Sequence, residues 1–228
     1  MNNVLLIIIE LIICYGSLVL LRRILNTEGI YIYAIIATIA SILMTTKTIA
    51  IMNINIPLGF ASITSLIIGG NILTQTKGKE AIRKYILIII TSFIISTIIY
   101  YLSSIMLNSQ YAINSNIAYS NLFNGHIREY IALLVSLIIA IWMNSKIYYL
   151  LKRIRNKIII SNIFSIIITE FVENIIYVLL AYLYEFTVIE IALCIVFRYM
   201  LKTIIGIIGT YPIYIVTKFI DKEVDYEN

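Results

Sequence analysis

Residues 158–182 read IIISNIFSIIITEFVENIIYVLLAY. A helix needs about 20 mostly apolar residues to cross the hydrocarbon of a bilayer, and this run supplies them. It also carries two acids. Glu170, Glu173, Asn174 and Tyr177 fall at i, i+3, i+4 and i+7, so all four share one helix face. The next apolar run, 188–217, carries Arg198 and Lys202 one turn apart. An ionisable group at bilayer depth is costly, so it turns to the bundle interior and takes a partner.

Depth places acids and bases together. Glu173 lies about 15 residues from the start of its run and Lys202 about 15 from the end of the next, at about 1.5 Å per residue. If the two helices are antiparallel, both groups sit roughly 22 Å above the same boundary. One reading is a structural ion pair that fixes helix register. The other is a polar cavity that binds a solute. Two acids, an amide, a phenol and two bases exceed what one registry pair requires.

Working outward, five more runs have spanning length: about 4–21, 30–50, 56–75, 85–107 and 129–147. The chain of 228 residues is 61% hydrophobic and 13% charged, with a mean hydropathy of +0.97. A water-soluble core of this size does not hide that much apolar surface, whereas lipid solvates it. The fold class is therefore an all-α polytopic membrane protein. The first run is short and holds Glu10, so it either spans or lies in the interface. It has no basic leader and no small-residue cleavage site, and is expected to stay on the chain. The tail of the second run, Ile51-Met52-Asn53-Ile54-Asn55, reads as a short non-helical or re-entrant piece. Pro57 behind it suits the first turn of the next helix.

The net charge of +5 does not imply nucleic acid. Most of the 17 basic residues cluster after the first, third, fifth and seventh runs. The positive-inside rule makes that side cytoplasmic, with the C-terminus on it, in a plasma (cell inner) membrane. The opposite loops hold Lys47, Arg128, Glu185, Glu190 and a Ser/Asn/Tyr-rich stretch from Asn108 to Asn124. Cys14 and Cys194 sit in apolar runs without metal-ligand spacing and read as buried thiols. His126 is the only histidine, and neither HExxH, GxSxG nor a phosphate-cradling Gly-rich loop is present. No enzyme, metal or cofactor is expected. Asn71 and Gln75 on the third run, and Asn144 on the fifth, extend the polar path, with Arg128 at the outer end of the fifth. Singly, each fits a helix-end or interhelix hydrogen bond as well as a ligand contact.

Four segments carry a family resemblance. Residues 70–84, GNILTQTKGKEAIRK, resemble a segment of the queuosine precursor transporter family, also called the vitamin uptake transporter or YhhQ-like family. Asn71 and Gln75 stand where that family has acids, while the Gly78 turn and the basic cluster are kept. Asn121-Leu122-Phe123, Arg128, Asn144 and Tyr149-Leu150-Leu151-Lys152-Arg153 are similar to a helix with Arg at its outer end; Ile141 and Asn144 replace its Gln and Asp. Ser165 through Glu170, then Glu173, Asn174 and Ala181-Tyr182, resemble a third helix, with Glu173 at its Asp. Tyr199, Lys202, Pro212 and Tyr214 match the last one.

The resemblance implies a six-span transporter core over residues 30–220, an extra N-terminal hydrophobic helix over 1–29, and a cytoplasmic tail over 221–228. It also implies import of a 7-deazaguanine: queuine, preQ1 or preQ0. A guanine-type edge offers adjacent N–H donors to a carboxylate, with Glu173 first and Glu170 second in line. Lys202, Arg198 or Asn174 would serve the neighbouring carbonyl, and Tyr177 or Tyr199 the ring face. The partners expected are that small molecule and the lipid bilayer, without nucleic acid and with a homodimer left open. The alternatives are a substrate-binding subunit of an energy-coupling-factor vitamin transporter and a non-transporting membrane scaffold.

Overall fold

The computed structural model describes residues 3–51, 54–78, 80–106, 113–124, 126–155 and 157–216. Within them the order is α1 (Asn3–Thr45), β1 (Thr48–Ile51), β2 (Ile54–Pro57), α2 (Phe60–Lys77), α3 (Glu80–Ser104), α4 (Ile113–Asn124), α5 (Ile127–Arg155), α6 (Ile158–Tyr182) and α7 (Val188–Ile208). The expected tail 221–228 lies outside the described residues.

Although continuous in hydrogen bonding, α1 is broken. Leu25 and Asn26 leave helical geometry, Asn26 with φ 51° and ψ −138°. Asn tolerates the left-handed region better than most side chains. The chain reverses here so tightly that a Cβ on Gly29 would collide with the Leu21 carbonyl. The two arms form a helical hairpin, and each is long enough to cross a bilayer. Arg22 donates to Asn26 Oδ1 at 3.0 Å, closing the corner.

The second arm ends at Thr45, five residues before the apolar run does. Thr48–Ile51 instead pairs antiparallel with Ile54–Pro57. β-branched and isoleucine-rich residues suit a strand, so Ile51, Ile54 and Asn55 of the non-helical tail lie in a strand pair, while Met52 and Asn53 lie outside the described residues. Pro57 closes β2 and does not open α2, which begins at Phe60 after Gly59 (φ 95°). The Ser/Asn/Tyr-rich stretch, read as loop, contains α4. There Phe123 stacks on Tyr100 of α3 at 4.8 Å.

Among the described residues, five helices are long and apolar enough to cross a membrane: Leu5–Thr45 (which contains the kink), Glu80–Ser104, Ile127–Ile154, Ile158–Tyr182 and Val188–Val216. The helix α2 is not among them, for a physical reason. Every residue from Phe60 to Thr74 is buried, and α2 packs against α1, α3, α5 and α7. Protein, not lipid, solvates its Ser, Thr, Gly and Asn side chains, so these carry no lipid-exposure cost. The outer faces of α3 and α7 present exposed Ile and Leu, such as Leu87, Ile98, Leu193 and Ile204. Polar residues inside and aliphatic residues outside is the arrangement lipid demands.

Candidate functional site

On α6, Ser161, Asn162, Ser165, Thr169, Glu170, Glu173, Asn174 and Tyr177 are all buried. They form one polar stripe along the helix. On α7, Arg198 and Lys202 are both buried without residual exposure. The two helices approach closely because Gly206 has no side chain: a Cβ there would run into Ile166 of α6.

The four charges meet. Lys202 Nζ lies 2.7 Å from Glu170 Oε2 and is also hydrogen-bonded to Glu173 Oε2. Arg198 Nη2 lies 3.5 Å from Glu173 Oε1. Neighbouring helices complete the carboxylates. Thr64 of α2 donates to Glu170 Oε1 at 2.9 Å, and Ser136 of α5 to Glu173 Oε1 at 3.3 Å. Four helices thus surround one charge cluster whose two negative and two positive groups cancel. Balance of this kind is what makes burial tolerable.

Arg198 is the least satisfied member. Its guanidinium carbon stands 3.8 Å from the Tyr177 ring centroid. Yet Nε and Nη1 are buried without a hydrogen-bond acceptor, and Nη2 has only the long ion pair with Glu173. Tyr177 meets Tyr182 edge-on at 6.1 Å, and Tyr182 stacks on Phe186 at 4.8 Å, giving an aromatic column toward the α6–α7 turn. Asn174 donates to the Ile195 carbonyl at 2.5 Å, while its Oδ1 is buried without a partner.

Toward the other end of α6 lies a chain of amides. Thr169 donates to Asn144 Oδ1 at 3.4 Å, Asn144 to Asn71 Oδ1 at 2.7 Å, and Asn71 to Asn162 Oδ1 at 2.6 Å. Asn162 donates on to Thr210 at 2.9 Å. Asn71 and Asn144 are therefore joined to each other rather than to the acids. One turn beyond Asn71, Gln75 accepts from Tyr148 at 3.0 Å and from Lys152.

Two residues singled out from sequence lie elsewhere. Arg128 donates to the Leu180 carbonyl at 2.7 Å and faces Glu185 at 3.8 Å, tying the start of α5 to the α6–α7 turn. The Tyr199 ring meets Phe171, itself 48% exposed, at 5.5 Å. Conversely, the sequence reading missed Thr64, Ser136, Thr169, Asn162 and Tyr15. Asn162 and Thr169 had a signal, since both continue the α6 polar stripe at helical spacing. Thr64, Ser136 and Tyr15 had none, because a lone hydroxyl in an apolar run is commonplace. Tyr15 donates to the Ile205 carbonyl at 2.8 Å and so pins the first arm of α1 to α7.

A polytopic helical bundle with a charge-balanced, fully buried polar centre and an aliphatic exterior defines an integral membrane protein. The family model described as "Putative vitamin uptake transporter" matches residues 57–216, and the chain belongs to that family. It is thus a membrane transporter by family. No curated protein and no solved structure matches it.

Proposed function

We propose that this transporter imports a 7-deazaguanine (queuine, preQ1 or preQ0) across the plasma membrane, binding it at the Glu173–Lys202 level. The observation that carries the reading is the company around Arg198. Unsatisfied buried donors lie beside the Glu173 carboxylate and over an aromatic ring. A flat heterocycle with donors and an acceptor on one edge meets all three needs. Glu173 takes the adjacent N–H groups, Glu170 assists, and Tyr177 faces the ring. Asn174 contributes its free carbonyl oxygen.

Both carboxylates are engaged by Lys202 in the present conformation. A solute that takes Glu173 therefore competes with Lys202, and this competition couples occupancy to the relative position of α6 and α7. The α6–α7 turn and Arg128 form the outer approach, and the chain of amides from Thr169 to Thr210 lines the inner side. The basic clusters support a cytoplasmic C-terminus. Residues 30–220 would form the carrier, with 1–29 as an appended helix.

Uptake of labelled 7-deazaguanine bases in a strain lacking its own importer tests the reading. Glu173→Ala and Lys202→Ala are each expected to abolish uptake. Normal transport by both variants, inserted at wild-type levels, removes the site assignment.

A further inference from the structure

The inventory of open hydrogen-bonding capacity at the charge cluster is lopsided. Lys202 has both carboxylates, Glu170 has Lys202 and Thr64, and Glu173 has Lys202, Ser136 and Arg198. What is left over at this level is one amide oxygen, Asn174 Oδ1, against the guanidinium of Arg198, whose Nε and Nη1 have no acceptor and whose Nη2 has only the 3.5 Å ion pair with Glu173. Those nitrogens are fully shielded, and a buried donor without an acceptor is costly. The guanidinium is a rigid planar fork, and the Tyr177 ring at 3.8 Å fixes its plane. A partner that satisfies a fork carries two neighbouring acceptors.

Charge adds a second constraint. Glu170 and Glu173 are already balanced by Arg198 and Lys202, so no surplus negative charge waits for a cation. The polar groups toward the other end of α6, Asn71, Asn144 and Asn162, are neutral amides that satisfy one another. A cationic arm placed at the fork meets like charge in a shielded site.

Resting on the transport reading above, we propose that Arg198 is the specificity-determining residue. It reads an uncharged substrate edge bearing two adjacent acceptors and rejects analogues that carry a cationic arm at that edge. Glu173 then recognises the donor edge common to all such bases, while Arg198 discriminates by the substituent beside the carbonyl.

Three 7-deazaguanines differing only at position 7 test this on the full chain in detergent, read by ligand-induced thermal stabilisation and repeated as uptake into proteoliposomes. The substituents are nitrile (a neutral acceptor), hydrogen, and aminomethyl (a cation). The nitrile is expected to bind roughly tenfold more tightly than the unsubstituted base, the scale of a good bidentate contact. The aminomethyl compound is expected to bind more weakly than either. In Arg198→Gln the three should draw to within about threefold of one another, because the charged fork is gone. The wild-type order alone decides the matter if that variant does not fold. Equal or tighter binding of the aminomethyl compound overturns the role of Arg198 while leaving transport intact. Failure of all three to bind overturns the transport reading and this inference with it.

Discussion

Lys202 on α7 and Glu170 on α6 form a 2.7 Å ion pair from which solvent and lipid are wholly excluded. Since Lys202 also serves Glu173, one ammonium holds two carboxylates that would otherwise repel across a single helical turn. Removing it leaves a buried cluster with excess negative charge. Lys202→Met is therefore expected to cost about 3–5 kcal/mol of stability, the usual penalty for orphaning a buried charge. Adding Glu170→Gln should return part of that loss without restoring transport. Thermal unfolding in detergent, beside uptake, checks both; a stable single variant contradicts the shared-ammonium account.

The amide chain gives a different expectation. Asn71 donates to Asn162 and accepts from Asn144, so it joins α2, α5 and α6 at once. Asn71→Leu strands two buried amides, at about 1–3 kcal/mol for each unsatisfied group. Asn71→Asp keeps the shape and the acceptor from Asn144 but turns the donor toward Asn162 into a second acceptor. Unfolding midpoints should rank wild type above Asp and Asp above Leu only if the aspartate is protonated. The order of the Asp and Leu variants is then expected to reverse as the buffer pH is raised, with wild type above both.

Much of this architecture can be read from hydropathy, and the reasons for what cannot are local. Run 158–182 gives α6 to the residue and run 188–217 gives the start of α7, because lipid-facing Ile and Leu leave no competing state; the end of α7 at Ile208, before Gly209, is not marked in that run. The approach of Glu173 to Lys202 follows from counting residues to a common boundary. Thr48–Ile51 defeats the same method: isoleucine serves strand and membrane helix alike, and only pairing with Ile54–Pro57 decides between them. Helix α4 is hidden by Asn and Ser, which favour turns when nothing packs on them. Which polar residues of α2 meet the acids depends on helix rotation, and uniform burial of that helix erases the periodic signal for it.

The crossing of α6 and α7 depends on the absence of a side chain at Gly206. A Cβ there would run into Ile166 and also sit 3.4 Å from Thr64 Cγ2. Gly206→Leu should force the helices apart and move Lys202 from the acids, lowering both stability and uptake. Pairing Gly206→Ala with Ile166→Ala relieves the clash at a modest cavity cost. That double variant should unfold closer to wild type than Gly206→Leu does; equal damage from both means the close approach is not what sets the cluster.

The first arm of α1 lies outside the matched residues 57–216, yet it is fastened to the site helix. The Tyr15 hydroxyl donates to the Ile205 carbonyl at 2.8 Å, and the ring packs where α7 breaks at Gly209. The Ile205 carbonyl also accepts the Gly209 N–H at 2.9 Å, and its second lone pair takes the Tyr15 hydroxyl, so this bond steadies the part of α7 beyond Lys202. Tyr15→Phe removes only the hydroxyl and is expected to cost about 1 kcal/mol. If the arm is a brace, uptake by Tyr15→Phe falls in proportion to its lower stability, and relative rates for different solutes stay fixed. If the arm instead shapes the binding site, substrate preference shifts while the unfolding midpoint barely moves. Competition assays run with the two proteins side by side separate these outcomes, and the contact with Ile205, three residues past Lys202, favours the brace.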